Sequence, residues 1–176
     1  MSKQVKLLCV ALLMVLAGAN ACRPQAQEER LRYETIDREN HGEGGGLFEE
    51  RQPQFFVVAE TSDVEALDNF VSAHSRETLR NLDFDDQFAI VVFQGWQPDF
   101  SSPPFGIEVQ NLDRRDSSII IDAHVYGHVE GRERYPEVAS PYHAIEVWRE
   151  EDMHGDFEFI LKVDGETVVN RIHYLP

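Results

Sequence analysis

His124 and His128 stand four residues apart, a spacing that in a strand puts both imidazoles on one face with Glu130 next along it. That trio has the types of a metal-ligating set. Gly127, however, invites a bulge or turn that breaks the alternation, and neither a cysteine nor a His-Glu-x-x-His helix supplies a further ligand. Asp83, Asp85 and Asp86 form the densest acidic cluster. An EF-hand loop needs a central glycine that Asp83-Phe84-Asp85-Asp86-Gln87-Phe88 lacks, so Asp83 reads as the end of the turn at Leu79–Leu82 and its neighbours as a solvated loop. Ser140 and His143 carry two groups of a nucleophilic triad, but no third group is placed by spacing, and Pro141 reads as a tight turn entering a strand. The nucleophile elbow Gly-x-Ser-x-Gly is absent, so the run His41-Gly42-Glu43-Gly44-Gly45-Gly46 is not a lipase oxyanion loop. No spacing singles out two of the 32 acids as a glycosidase pair. Neither a catalytic residue nor a cofactor is expected.

The segment Gly95-Trp96-Gln97-Pro98-Asp99-Phe100-Ser101-Ser102-Pro103-Pro104-Phe105 offers a different kind of chemistry. Aromatic anchors held in a stiff, proline-rich loop suit a protein interface, which makes Gly95, Trp96, Pro98, Phe100 and Phe105 candidates for partner contact. The alternative is that Trp96 and Phe105 fold back to plug one end of the core.

Short apolar runs between turn residues must position these groups. Phe55-Phe56-Val57-Val58-Ala59 reads as a strand, and Ser62-Asp63-Val64-Glu65 as a capping box opening one amphipathic helix through Val64, Leu67, Phe70 and Val71. Phe88 to Phe93 is apolar at every position, as a central strand covered on both faces would be. Ile107 and Val109, then Ile119, Ile121, Ala123 and Val125, alternate with polar residues and predict strands with one wetter face; Ala144 to Trp148 is another. Asp164-Gly165 is the signature of a two-residue type I′ hairpin. Pairing Val163 with Glu166 then sets Leu161 opposite Val168 and Phe157 opposite Ile172. The predicted class is α+β: six to seven mainly antiparallel strands in a curled sheet or sandwich, one early helix and a C-terminal hairpin.

Lys3 and Lys6, the 13-residue apolar run Leu7 to Ala19 and the small-x-small step Ala19-Asn20-Ala21 read as an export signal over residues 1–21, too short to span a bilayer. Cleavage there leaves Cys22 first, in the manner of a bacterial lipoprotein or, with Cys22 unmodified, of a secreted or periplasmic soluble protein, and leaves no second thiol for a disulfide. Residues 22–50, crowded with Glu, Arg and Gln, read as a flexible tether able to span roughly 30 Å, ahead of one globular domain over 51–176. The chain has 32 acids against 16 bases and a formal charge of −16; without residues 1–21 the bases fall to 14 and the charge is −18. Nucleic acid and anionic lipid surfaces are thereby disfavoured as partners, and a protein meeting the acidic surface is expected to be basic or cation-bridged, with salt-weakened binding.

The apolar strand ending Phe93-Gln94-Gly95-Trp96-Gln97-Pro98, followed by Phe105-Gly106-Ile107-Glu108-Val109, the strand at Ile119 and Ser140-Pro141-Tyr142-His143-Ala144-Ile145-Glu146-Val147, resembles the C-terminal domain of the PrcB-like protease-complex subunit family. The likeness runs from about Phe84 to Arg149, and its most specific part is Ser140-Pro141-Tyr142-His143. The family usually approaches its middle strand through a Gly-Gly-Tyr-like step, where this chain has Ser101-Ser102-Pro103-Pro104-Phe105-Gly106. The resemblance implies an exported, often lipid-anchored, non-enzymatic domain that helps assemble or stabilise a secreted protease, and it adds Ser140, Pro141, Tyr142 and His143 to the partner-contact candidates. The expected function is therefore a membrane-tethered extracytoplasmic interaction domain, with an exported protease or another envelope protein as partner. The alternative is an acidic surface protein that binds cations or small ligands.

Overall fold

The uniformly apolar run Phe88 to Phe93 becomes an inner strand because a packed layer covers each of its faces. The computed structural model describes residues 28–39, 48, 50–95, 106–126 and 140–176, and among these described residues nine strands and two helices follow one another. They are β1 (Glu28–Arg30), β2 (Tyr33–Glu39), β3 (Gln54–Val58), α1 (Thr61–Glu65), α2 (Ala73–Arg80), β4 (Gln87–Phe93), β5 (Gly106–Arg115), β6 (Ser118–Tyr126), β7 (Tyr142–Trp148), β8 (Gly155–Val163) and β9 (Glu166–Leu175). Two open sheets result, a five-stranded one in the order β1-β5-β6-β8-β9 and a four-stranded one in the order β2-β7-β4-β3. The α+β class and the mainly antiparallel pairing match the expectation from sequence; the strand count exceeds it.

Alternation along β4 sorts its side chains between two cores. Phe88, Ile90 and Val92 join Ile107, Ile119, Ile121, Phe159 and Leu161 in a core shared by the two sheets. Ala89, Val91 and Phe93 face the other way, against Val64, Leu67, Val71 and Leu79 from the helical segment. The order is therefore sheet, sheet, helices. Each large side chain fully buried here stabilises the fold by about 1.5–3 kcal/mol.

The stretch 22–50, expected to be a flexible tether, is structured wherever it is described. β1 pairs with β5 and β2 with β7, Leu31 between them is buried in the inter-sheet core, and Phe48 stacks on Phe93 at 4.7 Å between ring centres. An edge strand needs only a few inward side chains. Leu31, Tyr33, Ile36 and Phe48 meet that need within a polar stretch, so composition alone conceals the pairing. The folded unit accordingly begins upstream of residue 51, whereas the export signal and Cys22 lie outside the described residues.

Only the start of the single predicted helix is helical, as α1; residues 66–70 form turns, and α2 follows beyond the predicted span. α1 is capped by Glu60, two residues earlier than the Ser62 box suggests, and the Asp63 carboxylate accepts the backbone N–H groups of Glu60 at 3.1 Å and Ala59 at 2.8 Å. Ser72 then caps α2, its hydroxyl accepting the Ser75 N–H at 3.0 Å. The cap interrupts the periodicity at the point where Val71 ends.

The C-terminal hairpin has its predicted turn, with Asp164 and Gly165 at φ 52° and 86°. Its register departs from expectation after two pairs. Val163 faces Glu166 and Lys162 faces Thr167, but a bulge then sets Leu161 opposite Val169 and Phe157 opposite His173. One inserted residue reverses the faces of everything beyond it, so Val168, Ile172 and Tyr174 turn away from the core. One pairing is parallel, β6 with β8, because the intervening β7 lies in the other sheet and β8 returns beside β6 in the same direction.

Candidate functional site

The adjacent residues Tyr142 and His143 at the start of β7 point into different layers, and each becomes the centre of a buried polar arrangement. Tyr142 is 1% exposed and faces the helices. Its hydroxyl donates to Asp37 Oδ2 at 3.1 Å and accepts the Ser72 N–H at 3.0 Å. Asp37 Oδ2 also accepts the hydroxyls of Ser72 at 2.7 Å and Ser75 at 2.6 Å. Burial pushes the Asp37 carboxyl up, but the bonds from Ser75, Ser72 and Tyr142 outweigh it and hold the group below the usual carboxylate range. The result ties β2, β7 and the start of α2 together.

His143 is 1% exposed and lies between the sheets. Its Nδ1 accepts the Val109 N–H from β5 at 2.9 Å, so the neutral ring carries its proton on Nε2 and donates to Thr35 Oγ1, 2.9 Å away. Burial first, then the nearby Arg38 charge, pushes its pKa down to about 4, against an opposing pull from Asp37. The imidazole is thus neutral at physiological pH.

Bulges make both arrangements possible. In a regular strand Thr35 and Asp37 would share a face. The irregularity between them in β2 turns Thr35 toward His143 and Asp37 toward Ser72. A second bulge, between Val109 and Asn111 in β5, lies beside the N–H that His143 receives.

None of this is catalytic geometry. With Nδ1 accepting and Nε2 donating, His143 has no basic nitrogen left for a nucleophile, and Ser75 is fully buried among its partners. Ser140 and Pro141 are buried too, the Pro141 carbonyl accepting the Gln94 N–H at 2.9 Å. The Ser140-Pro141-Tyr142-His143 step therefore faces inward throughout, and as a set of direct partner contacts it is corrected to a structural one. The partner-contact reading of this step came from the resemblance alone, and sequence does not display the two bulges that let its polar groups be satisfied inside.

Gly95 is buried at φ +89°, and a Cβ there would lie 2.8 Å from the backbone atoms Arg51 C, Arg51 O and Gln52 O. Its place is a close backbone approach. Gly95→Ala is expected to cost about 2 kcal/mol of stability in urea unfolding, from the left-handed backbone and the contact combined. Trp96, Pro98, Phe100 and Phe105 lie outside the described residues, as do His128 and Glu130. His124 pairs with Asp164, and among the described residues no group of three His, Cys, Asp or Glu is placed to hold a metal ion.

The surface feature that sequence reasoning missed is β9. It is an edge strand of the five-stranded sheet, and Ile172 and Tyr174 are 74% and 63% exposed on it, with Val168 at 37%. A groove of about 400 Å³ runs beside it, lined by Ala59, Glu60, Asp63, Ile172 and Tyr174. Arg171 crosses to the neighbouring edge strand β3, donating to Gln54 Oε1 at 2.6 Å. The strand carries only Glu166 and Arg171 as formal charges, in a chain of −16. Pro and Lys, the usual guards of an open edge, are absent from it. Hydrophobic alternation was the available signal, but the bulge reverses its meaning.

The chain matches no protein-family model, no curated protein and no solved structure.

Proposed function

We propose that this chain is an extracytoplasmic protein-interaction domain, held at a membrane through a lipid on Cys22, that assembles through the open edge of β9. Its class is the accessory or stabilising subunit, with an exported protease as the partner that the PrcB-like resemblance suggests. The observation that carries the reading is the exposure of Ile172 and Tyr174 on a formally neutral edge strand. Exposed apolar side chains beside unpaired backbone groups are material for strand pairing or for a partner's apolar surface. The sequence supports the address through its Lys3, Lys6 and Ala19-Asn20-Ala21 pattern. No helix among the described residues is long and apolar enough to cross a membrane.

Affinity capture from intact envelope fractions tests the reading with the native chain and Ile172→Lys side by side. Ile172 faces solvent, so the variant should melt with the native protein. Protein recovered with the native chain and lost with the variant, whether another envelope protein or a further copy of this one, is the expected result; equal recovery, or none with either, overturns it.

A further inference from the structure

We infer that the occupant of the β9 edge is a second copy of this chain, its β9 running antiparallel to the first across a two-fold axis at Asn170. The inference rests on the reading of β9 as an interaction edge and names what meets it. A two-fold axis through a shared sheet pairs residues whose numbers add to a constant, and opposed residues must lie on the same face. The outward residues of β9 are Val168, Asn170, Ile172 and Tyr174, so the axis falls on or beside one of them.

The side chains choose among the possible axes. Centring on Asn170 sets Val168 opposite the second copy's Ile172 and Ile172 opposite its Val168, so that two apolar pairs flank an amide pair. Arg171 then faces Val169, and Glu166 lies beyond the bulge at Val168, outside this register, so no like charges are opposed. Centring on Arg171 instead puts two guanidinium groups together, and centring on Ile172 sets Asn170 against Tyr174 and leaves Val168 past the end of β9. Asn170 suits the axis: its side-chain N–H donates to Glu158 Oε1 at 3.1 Å, which fixes the amide on the outer face and leaves a second N–H for its symmetry mate.

Charge supports the same occupant. Two chains of −16 repel over most of their surfaces, but β9, with one Glu and one Arg, is a formally neutral strip. Pairing there brings the copies together where repulsion is least, and the residual repulsion is screened by salt. The dimer should therefore tighten as salt rises, opposite to the behaviour of an acidic surface meeting a basic partner.

Sedimentation of the full chain across protein and salt concentrations tests the proposal. A monomer–dimer equilibrium that strengthens with salt is expected, and Ile172→Lys should weaken it roughly a hundredfold, because each dimer loses two apolar contacts. Asn170→Cys, in a background with Cys9→Ser and Cys22→Ser, should crosslink to itself on oxidation, since directly opposed residues lie within disulfide reach. Val168→Cys in the same background should crosslink far less, its opposite residue being Ile172. A chain that stays monomeric at about 100 μM overturns self-pairing, as does a dimer indifferent to Ile172→Lys. If that monomer still captures an envelope protein through Ile172, the interaction reading stands without self-pairing; if it captures nothing, both fall.

Discussion

Asp37→Ala is expected to destabilise the domain by about 3 kcal/mol in urea unfolding, the larger part of it felt where β2 joins the sheet. The carboxylate oxygen Oδ2 receives three hydroxyl protons, from Ser72, Ser75 and Tyr142. Removing it leaves those hydroxyls without their common acceptor, and Ser75 and Tyr142 have no route to water because both are buried. Tyr142→Phe removes one of the three donors and should cost about 1 kcal/mol. In a double-mutant cycle the two changes should couple, since both act on the same carboxylate. A flexible tether at residues 28–39 would give a different result. Asp37 would then face water, and its replacement would leave the unfolding midpoint within experimental scatter.

Acid should unfold the protein in a window set by His143. The unfolded imidazole has an ordinary pKa of 6.5 and the folded one a value of about 4, so between these pH values the unfolded chain binds a proton that the folded chain refuses. Stability from this group is complete above pH 6.5 and is lost progressively as pH falls toward 4, to a total of about 3 kcal/mol. Protonation would also turn Nδ1 into a donor facing the Val109 N–H, so the bond between the sheets would be replaced by an opposition of two donors. Asp37 adds its own loss at lower pH, because its folded carboxyl titrates below the unfolded one. His143→Gln should flatten the slope between pH 6.5 and 4 while leaving the steeper loss below it. A native profile flat across that interval would show that His143 accepts a proton in the fold.

Much of the frame is legible in the sequence. Phe88–Phe93 announces a strand covered on both faces, Ile119 and Ile121 a half-buried one, and Asp164-Gly165 a tight hairpin, because each signal is local and periodic. What escapes is the work of single inserted residues. The bulge opposite Leu161 and Lys162 turns Ile172 from the interior to the surface, and the bulge between Thr35 and Asp37 sends neighbouring polar side chains into two layers. Neither leaves a compositional mark. β1 and β2 escape for a related reason: edge strands satisfy their backbone with few apolar residues, so Glu28–Glu39 reads as solvated chain until β5 and β7 are in place to receive it. The β9 edge thus became visible only with the register, and the inward turn of Tyr142 and His143 only with the layers.

Hydrogen exchange along β9 tests the interaction account most directly. The backbone groups of an edge strand that point away from its one neighbour exchange with water until another chain covers them. In the assembled native protein, amides of residues 166–175 should exchange more slowly than in Ile172→Lys at the same concentration, with the rest of the domain unchanged. Identical exchange along β9 in the native protein and the variant, whether in isolation or in the presence of envelope extract, would contradict the account.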